Sequence, residues 1–453
     1  MEISGLLAYS GLVKRMSLKS IFGSWLQSPH LRPIGHLASG SAVAQVIALL
    51  ATPIVTRLYL PSEYGTAALF MSIVTVVATV AALRYEVAIS IPPETSEGER
   101  DAIALVRVSL VAIAAVCTLT LLVTAVGANL GEFQVLEDLG YWVYAIPVGV
   151  FLSSLSLTLN SFAIRCRQYS IVARVAPLQK MVTAGLQIAG GLAKLGTSGL
   201  MVAALATPVV GLAVLWRTYR LGLSMASEAS DRARARMRRV AVKYRDFPFV
   251  STWFALLNAL AWNIQALVIG HYFSTAEVGQ YALAVAMISL PTGLVLTGVS
   301  QVYSRECASR ASDTSAVLRL ARKMVASLAI VSIPLFLFLL LVSAYLFGLV
   351  FGPNWEQAGA IGVAMIPLLW ARFLTTSLTT TLNVYRRQGL LLAWQVLALA
   401  ATLGALVWGG QQGLGVVDVT WLMSALTAPA YLMILPLTFW AIRRGPRLDA
   451  RDG

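Results

Sequence analysis

Glu63-Tyr64-Gly65-Thr66-Ala67-Ala68-Leu69 returns as Glu277-Val278-Gly279-Gln280-Tyr281-Ala282-Leu283, an E-x-G-x-x-A-L segment repeated 214 residues further on. Each copy follows one long apolar run and opens the next. A bilayer core takes about 20 apolar residues as helix, with every backbone polar group satisfied inside the segment. Runs of that kind, followed outward from the two copies, number twelve: 34–56, 65–83, 102–128, 139–163, 176–193, 200–216, 249–270, 278–302, 324–351, 358–383, 390–409 and 416–442. The copies then open the second span in each of two halves of six. A second echo, Thr158-Leu159-Asn160 leading to Arg167-Gln168 and Thr381-Leu382-Asn383 leading to Arg387-Gln388, closes the fourth and tenth spans. The expected fold is an all-α polytopic membrane protein of about 12 transmembrane helices in two parallel six-helix repeats. A substrate path between the halves goes with that architecture.

Composition agrees with the span reading. Of 453 residues 58% are hydrophobic and 12% charged, about half the charge density of a soluble chain. With both termini on one side, the segments of that side hold 31 of the 34 Lys and Arg, which makes it the cytoplasmic side. Arg57 and Lys194 fall on the other side and Arg372 inside a span, while Glu63, Glu132, Glu137, Asp138, Glu277, Glu356 and Asp418 lie in the outer loops. Trp142, Trp355 and Trp421 near the outer ends, and Trp216 and Trp440 near the inner ends, fit an aromatic belt.

The chain divides into an N-terminal extension (1–33), a first six-helix lobe (34–216), a basic cytoplasmic linker (217–247), a second lobe (248–442) and a cytoplasmic tail (443–453). The apolar stretch from Ile3 to Val13 lacks a preceding basic region, so the extension reads as an interfacial segment, or as sequence upstream of a start at Met16, rather than a signal peptide.

Several chemistries are excluded at this stage. Cys117, Cys166 and Cys307 form no pair, and His30, His36 and His271 form no metal cluster, so no cofactor or metal is expected. Phosphate-binding glycine loops are absent. The short outer loops leave no room for an extracytoplasmic catalytic domain, which counts against a membrane polymerase or ligase acting on a lipid carrier but keeps it as a further alternative. The Arg232 to Arg239 cluster reads as an anchor on anionic headgroups, with membrane lipids rather than nucleic acid as its partner.

What remains is polar residues inside spans. Arg372 lies about 21 Å of helix from the outer end of its span, where an ion costs about 2.5–3.5 kcal/mol unless it faces protein, water or ligand. Thr376, Thr379 and Asn383 continue its helix face, and Ser153, Ser156 and Asn160 mark the fourth span. Asn258, Trp262 and Gln265 mark the seventh, Ser41, Gln45 and Thr52 the first, and Lys180, Thr183 and Gln187 the fifth. Such groups either enclose a wet path or hydrogen-bond between packed helices. The substrate-binding candidates are Arg372, Arg84, Lys180, Gln45, Asn160, Asn258, Gln265 and Asn383. The guanidinium fork suits phosphate oxygens, so an anionic cargo fits this set better than a cationic drug.

The run Leu58-Tyr59-Leu60-Pro61-Ser62-Glu63-Tyr64-Gly65, with Leu83-Arg84-Tyr85-Glu86-Val87-Ala88-Ile89, resembles the N-terminal signature of bacterial polysaccharide repeat-unit flippases. These O-antigen and capsule translocases belong to the multidrug/oligosaccharidyl-lipid/polysaccharide exporter superfamily. Lys243-Tyr244-Arg245-Asp246-Phe247-Pro248 and Gly298-Val299-Ser300-Gln301-Val302 are similar to the same family's second half. The resemblance implies two lobes around a cationic cavity, moving an undecaprenyl-diphosphate-linked glycan between leaflets of the inner membrane by alternating access. It implies a transporter rather than an enzyme, with polysaccharide assembly proteins as partners, for lipopolysaccharide or capsule synthesis. Glu86 is the candidate proton carrier. A small-molecule or multidrug exporter of the same superfamily is the alternative.

Overall fold

The computed structural model describes residues 32–130, 134–224, 230–310, 313–385 and 387–445. Most of the N-terminal extension and the end of the tail therefore lie outside the described residues. All regular structure among these residues is helical. The first set is α1 (Arg32–Leu58), α2 (Pro61–Ala81), the short α3 (Tyr85–Ala88), α4 (Ser96–Leu130), the short α5 (Gln134–Leu139), α6 (Ile146–Arg165), α7 (Tyr169–Leu192) and α8 (Thr197–Ser224). A linker helix, α9 (Ser230–Lys243), precedes the second set. That set is α10 (Thr252–Tyr272), α11 (Thr275–Ser309), α12 (Thr314–Phe351), α13 (Glu356–Thr375), the short α14 (Thr379–Val384), α15 (Gln388–Gln411), α16 (Val416–Leu432) and α17 (Ile434–Arg443).

Ten helices among the described residues are long and apolar enough to cross a membrane, and the protein is a multi-pass membrane protein. Two expected spans fall short of that test. The 176–193 run lies within α7, which carries Arg174 and Lys180. The 278–302 run lies within α11, whose sustained apolar stretch is Thr275–Leu290. The expected 358–383 span is interrupted: α13 ends at Thr375 and a 3₁₀ turn, Thr376–Leu378, separates it from α14. The 416–442 span breaks likewise at Met433, between α16 and α17.

Local chemistry explains where α2 and α11 begin. The Glu63 carboxylate accepts the Leu60 N–H at 2.8 Å, and Pro61 opens α2 without needing a donor of its own. In α11 the arrangement is a full capping box: Ser274 N–H donates to Glu277 at 2.9 Å, and Glu277 N–H donates back to the Ser274 hydroxyl. The glutamate of E-x-G is thus the capping residue of both helices.

Helix neighbours recur in the two sets. α1 packs on α7, α7 on α8, α6 on α8, α4 on α6 and α2 on α6. In the same order α10 packs on α15, α15 on α16, α13 on α16, α12 on α13 and α11 on α13. The sets meet chiefly where α2 lies against α10 and α11. Polarity is that of a membrane protein: α4 and α12 expose Leu119, Leu122, Val123, Ile330, Phe338 and Leu341, while α13 is almost wholly buried.

The second echo does not keep register. α6 continues to Arg165, five residues beyond Asn160, whereas α14 ends at Val384, next to Asn383. The spacing from asparagine to arginine is seven residues in the first copy and four in the second, so the two asparagines hold different positions relative to the helix end.

Candidate functional site

Arg372 sits in the last turn of α13, just before the break, with 3% of its surface exposed. Its Nη2 donates to the Ala261 carbonyl of α10 at 3.3 Å. The guanidinium carbon lies 4.4 Å from the ring centre of Trp262 and 4.8 Å from that of Tyr431. Tyr431 is presented from the end of α16, one residue before its last, where Pro429 has already removed a backbone donor. Both ends of this contact are therefore made where a helix is interrupted. Two threonine hydroxyls bond back into the last turn of α13: Thr375 donates to Ala371 O at 2.7 Å, and Thr376 donates to Arg372 O at 2.6 Å beside its own backbone N–H. No carboxylate pairs with Arg372 among the described residues, and its buried Nε has no partner.

Around it the α10 face forms one network. The Ala261 carbonyl also accepts from Gln265 Nε2 at 3.5 Å, and the Gln265 side-chain oxygen accepts from the buried Tyr281 hydroxyl of α11. One turn earlier, Asn258 accepts from Gln395 of α15 at 3.3 Å. Trp394 donates to Ala430 O at 2.8 Å and stacks edge-on against Tyr431. Arg372, Gln265 and Asn258, predicted from sequence, are thus brought together. Tyr281, Gln395 and Tyr431 complete the set and were not foreseen. Gln395 was legible as a polar residue in an otherwise apolar span, while Tyr431 looks like any interior aromatic. Trp253, Asn258 and Trp262 of α10 are all exposed, so Trp262 covers Arg372 on one face and is accessible on the other.

The other candidates lie elsewhere. Asn383 is exposed on α14, Lys180 is exposed on α7, and Asn160 is half-buried on α6. Gln45 faces Gly293 of α11 from α1, with its side-chain oxygen buried and unpartnered. Much of the first set's polar face is used in packing. Thr183 of α7 and Thr207 of α8 share a hydrogen bond at 2.6 Å, and Ser156 and Gln179 both close on Gly211.

Arg84 and Glu86 form an ion pair at 3.2 Å where α2 gives way to α3. Leu83 and Arg84 are left-handed at φ 50° and 60°, a conformation that costs a side chain of this size about 1–3 kcal/mol. The Tyr85 hydroxyl holds the turn from outside by donating to Ala241 O of α9 at 3.1 Å. Glu86 is 6% exposed, and burial pushes its carboxyl up, the Arg84 guanidinium offsetting part of that shift. One Glu86 oxygen and the Arg84 Nε remain buried without partners.

At the opposite end of α2 the two E-x-G copies meet. A Cβ on Gly65 would stand 1.8 Å from Thr275 O, and one on Gly279 would stand 1.9 Å from Pro61 O. The contact is reciprocal: each glycine accepts the carbonyl four residues before the other. Trp355 locks the same end, its indole N–H donating to Thr56 O at 2.8 Å and its ring edge-on to Tyr64. Trp355 was expected in an aromatic belt; it is instead 0% exposed, because the seam between the two sets closes over it. Gln280 adds two bonds there, to Asn354 O and from Ala358 N–H.

This arrangement of helices defines a class. The fold is that of the transporters of the multidrug/oligosaccharidyl-lipid/polysaccharide superfamily. It matches the lipid II flippase MurJ, in an inward closed conformation, with TM-score 0.68, 10% identity, and 90% of this chain and 89% of that one covered. It matches an inward-facing multidrug resistance MATE family transporter with TM-score 0.59, 12% identity, and coverage of 88% and 94%. The Vibrio cholerae MATE transporter VcmN gives TM-score 0.56, 12% identity, and coverage of 91% and 95%. No curated protein sequence matches. Residues 54–360 match the model of the polysaccharide biosynthesis protein family, and the chain belongs to that family.

Proposed function

We propose that the protein is a flippase that moves a polyprenyl-diphosphate-linked oligosaccharide from the cytoplasmic to the periplasmic leaflet of the inner membrane, for surface polysaccharide biosynthesis. The observation that carries this reading is Arg372: a buried, fixed cation with no carboxylate among its described partners, roofed by the exposed face of Trp262. In a low-dielectric interior such a charge favours an anion strongly. Membership of a polysaccharide biosynthesis family and the flippase-like fold support the same cargo class.

In this reading twelve spans form two six-helix repeats with both termini cytoplasmic, so that the Gly65–Gly279 crossing is the periplasmic end and Arg84–Glu86 the cytoplasmic end. Alternating access then consists of opening one end as the other closes. Cargo enters past Arg84, meets the α10 face at Asn258, Trp262 and Gln265, and engages Arg372 as Trp262 and Tyr431 give way. Gln45, Asn160, Lys180 and Asn383 contact the glycan at more exposed positions, and Glu86 exchanges the coupling proton.

The test is transport of a fluorescent undecaprenyl-diphosphate-linked disaccharide in proteoliposomes. Wild type is expected to move it, and Arg372→Ala and Arg84→Ala to lose at least tenfold while still inserting. Equal rates in all three would sink the site assignment. A multidrug exporter of the same fold would need buried acids for cationic drugs, and Glu86 is the one buried carboxylate among the described residues.

A further inference from the structure

Arg57 is a cation on the cation-poor side of the protein, and the structure gives it an unusual setting. It lies in the last turn of α1, exposed, at a recess of about 540 Å³ shared with the end of α12. Pro53, Ile54 and Leu58 line the recess from α1, and Leu349 and Val350 from α12. The recess sits on the α1 seam between the two sets, which is packed less extensively than the α2 seam against α10 and α11.

The guanidinium is held loosely. Its Nη2 reaches the Leu349 and Val350 carbonyls at 3.4 and 3.5 Å, whereas a bond to an anionic phosphate oxygen closes to about 2.7–2.9 Å and is frequently made by two N–H groups at once. Those carbonyls belong to the last turn of α12, where no further helical donor follows. A phosphate arriving at the recess therefore competes well for Arg57.

We propose that this recess is a periplasmic-leaflet lipid-phosphate site. Arg57 takes the diphosphate of the outgoing polyprenyl-linked cargo, while the five apolar side chains line the first part of its prenyl chain. The proposal rests on the flippase reading above. It adds a consequence: the anion draws Arg57 away from α12, removing one tie between the two sets as the cargo leaves.

The experiment uses the full-length protein in proteoliposomes with two readouts. One is flipping of the fluorescent undecaprenyl-diphosphate-linked disaccharide; the other is photolabelling by its diazirine analogue, mapped by peptide mass spectrometry. Wild type should flip the probe and be labelled within 53–58 and 349–350. Arg57→Gln should lose about tenfold or more in both, Arg57→Lys should keep part of the labelling, and Lys194→Gln, the other outer cation, should match wild type. Thermal unfolding in detergent identifies any variant that fails to fold, and Arg57→Lys then decides. Wild-type flipping with full rate and labelling in Arg57→Gln overturns the recess alone. Labelling of the recess without any wild-type flipping sinks the flippase reading and leaves a lipid-phosphate site. Labelling by a diazirine phosphatidylglycerol that excess prenyl diphosphate does not displace shows an ordinary phospholipid site and overturns the proposal.

Discussion

At 3% exposure the Arg372 guanidinium is surrounded by two aromatic faces and one carbonyl where water would otherwise stand. Lysine carries the same charge but lacks the planar group that stacks on both rings. Arg372→Lys is therefore expected to cost about 2 kcal/mol, the scale of a desolvated cation–π contact, read as a lower unfolding temperature in detergent. Gly65 shows the opposite constraint, absence of a side chain. In Gly65→Ala the new methyl would meet Thr275 O at 1.8 Å, and α2 and α11 must separate, at about 1–3 kcal/mol for forced overpacking. Spin labels on Leu60 and Ser274, in a background lacking Cys117, Cys166 and Cys307, should report a longer distance than in the parent. An unchanged distance would mean that the crossing is not held by the glycines. Arg372 was legible in the sequence as a charge in a span. Its aromatic roof was not, since nothing in the order of residues places Tyr431 beside it.

At the scale of elements, the helix α9 is docked on its neighbours. Ala233 is buried, and Val240 and the following Tyr244 are buried against Tyr85, Ile89 and the start of α4, while Arg232, Arg234, Arg238, Arg239 and Lys243 remain exposed. Arg236 ties the helix to α4 through Asp101 at 2.9 Å, with both side chains 14% exposed. A double-mutant cycle on Arg236→Ala and Asp101→Ala should give a coupling of about 1 kcal/mol, the upper end for partly exposed pairs. Either single variant should be cut faster by trypsin within 232–245. An unchanged cleavage rate would mean that apolar packing alone holds α9. The cation run was readable as an exposed surface, but only the fold showed which of its arginines is spent on α4. Helix starts at α2 and α11 were likewise readable from E-x-G. The breaks after Thr375 and Leu432 were not, because both lie inside stretches that are apolar on average from end to end.

For the whole molecule, the Gly65 end of α2 is closed by Gly279, Trp355 and Gln280, and the opposite end carries the Arg84–Glu86 pair. The buried Glu86 makes the Arg84 turn sensitive to protons. Because burial raises its carboxyl, the folded chain binds that proton more tightly than the unfolded chain. Stability from this group therefore rises as pH falls through its folded pKa, and its desolvation cost is fully present above it. Glu86→Gln should flatten the pH dependence of the unfolding temperature in the window just above the usual carboxylate range. In proteoliposomes the same variant should transport independently of an imposed pH gradient, and a gradient response equal to wild type would exclude Glu86 as the coupling group.

Apolar run length and the paucity of charge, by themselves, determined a helical membrane protein, because a bilayer offers the polar backbone groups no water and a helix pairs them within the segment. The E-x-G copies marked the two helix starts, since capping is a local interaction. What only the tertiary structure decided is which distant residues share a site: Arg372 with Trp262 and Tyr431, Trp355 with Thr56, Arg57 with the end of α12. Those pairings join segments far apart in the chain, and they are set by how helices cross, a property that no single span carries in its own sequence.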